Sequence, residues 1–292
     1  MGESLVVWGL LAADLLAMAI TTRRADSSSE TGQTLFHHQV DSFLRHPLAP
    51  AAVAIGAVAT ERLDRGQRLS LLPWLAPAIL WSAAARRGSR RVAITPLAIE
   101  MVTGSIALTI AAIGRRGGGG CARWGRGDGL RISLAIVVAA ISLPWVLADV
   151  GIYASDLPGL RHLYLGRHPG IAGGRGPAVH LGHHHGLDGA LLALTGLLLS
   201  RQLPSFRGGP RREVITLWLA SLTVYGIVRA AEDAWYEQIV KRGWTHRRVP
   251  PLVVDGRLVL SAAWVWLLLA TGGLTAWLRT LHGMSELSMR RD

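Results

Sequence analysis

The residues best suited to chemistry are histidines grouped shortly after the middle of the chain. The segment reads His180-Leu-Gly-His183-His184-His185-Gly-Leu-Asp188. On a helix, His180 and His184 share a face because they are four residues apart, and His183 lies three residues after His180. Imidazole is a common ligand of zinc and of non-haem iron. Either pair of histidines can therefore hold one divalent metal ion.

Asp188 continues the same helical stripe, eight residues after His180. At 1.5 Å per residue, it lies about 12 Å from His180 along the helix axis. That separation is too large for the two side chains to share one ion. We expect Asp188 to bind a second metal or to orient His184. The predicted metal ligands are His180, His183, His184 and Asp188.

Acidic residues inside or at the ends of apolar runs form a second group. Ionisable side chains within a membrane are costly and usually serve a function. The acids are Asp14, Glu100, Asp149, Asp188, Glu232 and Asp233. We predict that Asp149, Glu232 and Asp233 act as catalytic bases or further metal ligands. A structural hydrogen-bonding role is the alternative for each acid taken singly.

The elements that must position these groups are long apolar runs separated by short arginine-rich segments. About 20 apolar residues cross a hydrocarbon core of about 30 Å. The long runs are Ser4–Thr21, Val92–Gly114, Ile132–Tyr153, Val214–Ala231 and Leu258–Leu278, whereas Leu69–Ala85 is marginal and Pro47–Thr60 is short. The pattern predicts an all-α, polytopic integral membrane helix bundle with about seven to eight transmembrane helices.

The sixth span depends on where its helix begins. The apolar run Ala190–Ser200 is about 16 Å long as a helix, which is half a bilayer. A helix that begins at Pro177 has about 24 residues and carries the histidines into the membrane. A helix that begins at Asp188 as its N-cap leaves the histidines in a loop. Length favours the longer helix.

Chain direction predicts which groups share a membrane face. With eight spans, the fifth ends, the sixth begins and the seventh ends on the same side. Asp149, the histidine segment and Asp233 therefore meet at one face, and only His282 among the histidines falls on the other. Such clustering favours a site over a transport pathway, which needs ionisable groups through the full membrane thickness.

Composition supports a membrane protein. Half of the 292 residues are apolar and only 17% are charged, too few to cover a soluble surface of this size. The formal charge of +12 comes almost entirely from arginine at the ends of apolar runs, where it can reach lipid phosphates. We therefore expect no nucleic-acid partner. The single cysteine, Cys121, excludes an intramolecular disulfide.

One transmembrane domain is predicted over residues 1–292, because no globular insert separates the apolar runs. Within it, residues 23–46 are interpreted as an interfacial helix. Residues 115–131 are interpreted as a flexible loop rich in glycine and arginine, and residues 285–292 as a polar tail. Tryptophans near the ends of runs, such as Trp145, are interpreted as interfacial anchors.

The motif His180-x-x-His183-His184 resembles one histidine box of the membrane fatty-acid desaturase and hydroxylase family, which implies iron. Those enzymes use three such boxes, and this chain matches one. The scattered histidines and an aspartate are also similar to the seven-helix zinc hydrolases of the ceramidase and adiponectin-receptor type, which implies zinc. Their paired histidines lie on the last span, whereas here the last apolar run has no histidine before His282.

These features predict a metal-dependent membrane enzyme that acts on a lipid or other apolar substrate, with zinc or iron as cofactor. One alternative is a non-enzymatic membrane subunit that binds haem, quinone or a partner chain. Another is an ion transporter. The chain has neither a His-Glu-x-x-His motif nor a P-loop, which excludes a zinc protease of that type and ATP hydrolysis by a P-loop.

Overall fold

A computed structural model describes residues 2–24, 40, 42–63, 90–114, 124–149, 158–159, 161, 165–167, 175–177, 179, 185–206, 208–250, 253–254, 257–258 and 261–289. Several predictions fall outside these described residues. They concern the run Leu69–Ala85, Cys121 and the predicted ligands His180, His183 and His184.

Seven α-helices dominate the described residues. They are α1 (Gly2–Arg24), α2 (Ala49–Glu61), α3 (Arg90–Gly114), α4 (Asp128–Asp149), α5 (His185–Ser200), α6 (Pro210–Trp235) and α7 (Ala262–Met289). Shorter helical turns are the π-helical turns Leu44–Leu48 and Tyr236–Val240 and the 3-10 turn Leu203–Ser205. Two short antiparallel pairs are β1 (Leu165–Arg167) with β2 (Arg175–Pro177), and β3 (Val253–Val254) with β4 (Arg257–Leu258). The predicted all-α class is confirmed.

Three helices are long and apolar enough to cross a membrane. Their candidate spans are Gly2–Ala19 in α1, Asp128–Ala148 in α4, and Pro210–Val240, which joins α6 to the π-helical turn after it. A shorter apolar stretch, Met101–Ile113, lies in α3. The part of the chain that the structure describes thus provides three candidate spans, where the sequence predicts seven to eight.

The short run Pro47–Thr60 is not among the candidate spans of the described residues. Most of it forms α2, which has 13 residues and is about 20 Å long. Ala51, Ala54 and Ile55 of α2 are completely buried against the neighbouring helices. The π-helical turn Leu44–Leu48 runs directly into α2, so burial along the middle of α2, and not its length, indicates an interior helix.

Two other segment boundaries differ from the sequence interpretation, and a third segment is described only at its ends. Only the ends of the predicted interfacial helix, residues 23–46, are well described, and Phe43 near its second end is 1% exposed in the main core. The loop predicted over residues 115–131 ends earlier, because α4 begins at Asp128. Helix α7 continues to Met289, into the predicted polar tail.

Helix α5 lies at the centre of the bundle. It contacts α1, α2, α4 and α6, and nearly all of its 16 residues are buried. Since Pro177 lies in β2 and Val179 lies in a bend, the predicted helix beginning at Pro177 is wrong. The described part of α5, His185–Ser200, is about 24 Å long, which is shorter than a hydrocarbon core. It is an interior helix that the candidate spans surround.

Glycines allow α5 and α6 to approach each other closely. A Cβ atom added at Gly189 would lie 2.6 Å from the carbonyl oxygen of Gly226, and one added at Gly226 would collide with the carbonyl oxygen of Gly189. A Cβ atom at Gly196 would collide with the Thr223 hydroxyl. Small residues at such contacts let helix backbones pack tightly, as is common between membrane helices.

This close packing makes Gly189→Ala destabilising. The added methyl group must push apart α5 and α6, which should lower the free energy of unfolding by about 1–3 kcal/mol. The matched control is Gly272→Ala in α7, where an added Cβ meets nothing within 4 Å. Alanine favours helix over glycine by about 1 kcal/mol, so the control should be neutral or stabilising. Thermal unfolding of both variants in detergent measures the difference, and equal melting temperatures would contradict the packing.

Candidate functional site

The end of α4, the start of α5 and the end of α6 meet at one end of the bundle. The Gly186 backbone N–H donates a hydrogen bond of 2.8 Å to Asp233 Oδ2. On α4, Trp145 Nε1 donates a hydrogen bond of 2.6 Å to Oε2 of Glu237, which lies just beyond α6. The Trp145 ring lies against Gly186 so closely that a Cβ atom there would collide with it. The three helix ends therefore converge, as chain direction predicts.

His185 occupies the centre of this convergence as the first residue of α5. Its Nδ1 atom lies 3.6 Å from Asp188 Oδ2. Its ring packs edge-on against the ring of His46, with 5.7 Å between the centroids. The Asp188 side chain is 7% exposed, whereas that of His185 is 53% exposed. A solvent-accessible imidazole thus lies next to a buried carboxylate.

Two further carboxylates lie one helical turn apart on the neighbouring element. Asp233 accepts the Gly186 N–H and so holds the start of α5. Glu237 is 1% exposed and accepts hydrogen bonds from Trp145 and, at 3.3 Å, from Lys241 Nζ. These contacts hold the Glu237 carboxylate in place. We refer to His185, Asp188, Asp233 and Glu237 as the carboxylate–histidine cluster.

The other predicted catalytic acids have different surroundings. Glu232 forms an ion pair of 2.8 Å with Arg229, three residues earlier on α6. This pairing within one helix favours a structural role for Glu232. Asp149 is the last residue of α4, on the element that carries Trp145, and its side chain lies outside the described part.

Sequence reasoning missed Glu237 and Trp145. Glu237 lies four residues after Asp233 and therefore on the same helix face, a spacing that could have identified it. Trp145 was expected at a membrane interface, but it is 1% exposed and packs in the interior with Ala148 and Val179. A tryptophan near the end of an apolar run gives the same local signal in either place.

Metal binding needs more ligands than the described residues provide. Among the residues with a described structure, no group of three or more histidine, cysteine, aspartate or glutamate side chains could hold a metal ion. A site at this end therefore requires additional side chains. The predicted ligands His180, His183 and His184 immediately precede the cluster in the sequence.

No protein-family model, curated protein or solved structure matches this chain. Its function is therefore argued from the geometry of its own residues.

A second polar cluster lies at the opposite end of α5. Asp128 on α4 accepts hydrogen bonds from Arg131 at 3.1 Å and from Arg201 at 3.0 and 3.2 Å. Arg201 also pairs with Glu3 of α1 at 3.4 Å, and Arg131 lies 5.4 Å over the Trp277 ring of α7. We call Glu3, Asp128, Arg131 and Arg201 the arginine network. Its two positive and two negative charges balance, which indicates a structural connection between α1, α4 and the turn that follows α5.

Proposed function

We propose that this chain is a multi-pass membrane protein with a divalent metal site at its carboxylate–histidine end. The observation that carries the proposal is the contact between His185 and Asp188 at the start of α5. His183 and His184 directly precede this contact in the sequence. Imidazole and carboxylate together form the ligand set of zinc and non-haem iron. The proposed ligands are His180, His183 and His184, with Asp188 binding a second ion or orienting His184.

Exposed apolar side chains support a membrane environment. On α4, Ile136 and Val137 are 62% and 53% exposed, and on α7, Trp266 and Leu268 are 72% and 65% exposed. Apolar surface repeated along several long helices is unfavourable in water and favourable in lipid. With three candidate spans present, the proposed protein crosses the membrane more than once.

The proposed activity is metal-dependent chemistry on a lipid or other apolar substrate. A bound divalent ion would supply a strong nucleophile from water at neutral pH or, as iron, an oxidant. Asp233 is the favoured base among the predicted acids, because it contacts the first turn of α5 directly. Trp145 and Lys241 orient Glu237 on the same side. An apolar substrate fits this position because α4 and α6, which carry candidate spans, both end there.

Metal content tests this proposal. Tag-free protein purified in detergent should contain stoichiometric zinc or iron by elemental analysis, and an absorption spectrum distinguishes either from haem. Joint replacement of His180 and His184 by alanine should remove the metal. Joint replacement of His37 and His38, the control, should leave it nearly unchanged. Histidine in water has a pKa of about 6.5 and binds metal only when neutral, so bound metal should decline below about pH 6.

Two outcomes would contradict the proposed site. One is the absence of stoichiometric metal from the wild-type protein. The other is full metal content in the variant that lacks His180 and His184. Circular dichroism of that variant, compared with wild type, shows whether a loss of metal reflects the ligands or a loss of fold.

A further inference from the structure

Aromatic and basic side chains, all exposed except the partly buried Arg242, surround the point where the candidate span Pro210–Val240 ends. We call Trp235, Tyr236, Arg242, Trp244, Arg247 and Arg248 the basic–aromatic surface. Trp244 is 68% exposed and Tyr236 is 41% exposed. Tryptophan and tyrosine at the end of a span are typical of the lipid headgroup level, where an apolar ring and a polar edge are both accommodated.

The segment after α6 folds back onto these aromatic rings. Trp235 Nε1 donates a hydrogen bond of 2.9 Å to the carbonyl oxygen of Arg247. The guanidinium carbon of Arg248 lies 5.6 Å from the centre of the Tyr236 ring, and that of Arg242 lies 5.2 Å from the centre of the Trp244 ring. The arginines are therefore held close to the rings at the end of the span.

Among the described residues, no carboxylate pairs with the arginines of the basic–aromatic surface. Residues 241–250 contain no acidic residue. Lys241 is paired with Glu237, and Arg242 donates a hydrogen bond to the neutral side chain of Gln238. An anionic ligand would complete this surface.

We infer that the basic–aromatic surface binds the headgroups of anionic phospholipids. Guanidinium groups make paired hydrogen bonds to phosphate oxygens, and basic side chains next to a span attract anionic lipid. The neighbouring rings favour a phosphate carried by lipid over a phosphate free in water, since they can lie among the acyl chains beside it. This inference rests on the proposed insertion of the chain into a membrane.

Lipid retention in detergent tests the inference. Purified full-length protein is incubated with equal amounts of phosphatidylglycerol and phosphatidylcholine, and the lipids that remain bound are counted by native mass spectrometry. The wild-type protein should retain phosphatidylglycerol preferentially. The double variant Arg247→Gln and Arg248→Gln should lose at least about fivefold of that preference, since one basic side chain near an anionic surface contributes roughly this factor.

The matched control removes two arginines from the other end of α6, as Arg211→Gln and Arg212→Gln. These arginines lie at the opposite end of α6, outside the basic–aromatic surface, so the control should keep the wild-type preference. Equal losses in the two double variants would overturn the inference, because they would show a diffuse effect of net charge. Complete displacement of the lipid by added inorganic phosphate would also overturn it in favour of a soluble anion.

A separate measurement distinguishes this inference from the proposed function. Alkaline carbonate extraction of cell membranes shows whether the wild-type protein is inserted in lipid. Extraction into the soluble fraction would overturn membrane insertion and the lipid surface together. Protein that stays in the membrane but shows no preference for phosphatidylglycerol would overturn the lipid surface alone.

Discussion

The substitution Asp128→Asn should lower the free energy of unfolding by about 3–5 kcal/mol. Asp128 is 4% exposed and is the carboxylate that Arg131 and Arg201 share. Asparagine keeps the shape and can still accept the Gly125 N–H, but it removes the negative charge. The positive charges of two buried or partly buried guanidinium groups are then compensated by less negative charge. Removing one partner of a buried ion pair in this way is strongly destabilising.

An exposed ion pair provides the control for Asp128. Glu213 on α6 and Arg279 on α7 also connect two helices, but their side chains are 42% and 57% exposed. Glu213→Gln should therefore cost no more than about 1 kcal/mol. Equilibrium unfolding of both variants in mixed micelles gives the two values. If Asp128→Asn costs as little as Glu213→Gln, the arginine network does not hold the helices together.

Gly186→Ala should destabilise the protein by about 3 kcal/mol and disturb the carboxylate–histidine cluster. The added Cβ atom collides with three atoms of the Trp145 ring. That ring is 1% exposed and is hydrogen-bonded to Glu237, so it has little room to move. Overpacking of this kind costs about 1–3 kcal/mol and occasionally more. If the proposed metal site is correct, the variant should also lose metal.

A second substitution shows whether the Trp145 ring is the cause. All three colliding atoms belong to the six-membered ring of the indole. The shorter phenylalanine side chain has no second ring that extends to this position. Gly186→Ala should therefore cost less than half as much in a Trp145→Phe background as in wild type, a coupling that a double-mutant cycle measures. An undiminished cost in that background would show that α5 does not begin against α4 in this way.

The apolar runs by themselves predicted α1, α4 and α6 well. The run Ser4–Thr21 lies within α1, and Val214–Ala231 lies within α6. The run Ile132–Tyr153 overlaps most of α4. These predictions succeed because a continuous apolar stretch long enough to cross a membrane is a strong and entirely local signal. The extra turns at the ends, such as the one that begins at Asp128, are polar and carry no such signal.

Chain direction also predicted the meeting of three helix ends. Helices that alternate in direction place the end of one and the start of the next on the same side, so chain order predicts that His185 and Asp233 lie at the same end of the bundle. The roles of those side chains as metal ligands and base remain predictions, since His180, His183 and His184 lie outside the described residues.

Only the tertiary structure decided which helices are interior and which polar groups pair. An apolar run as short as that in α5 fits half a span or a buried helix equally well, and the choice depends on which neighbours surround it. The pairing of Trp145 with Glu237 joins residues 92 positions apart, and that of Asp128 with Arg201 joins residues 73 positions apart. Local sequence patterns do not predict such contacts, because the contacts depend on how the helices pack and rotate against one another.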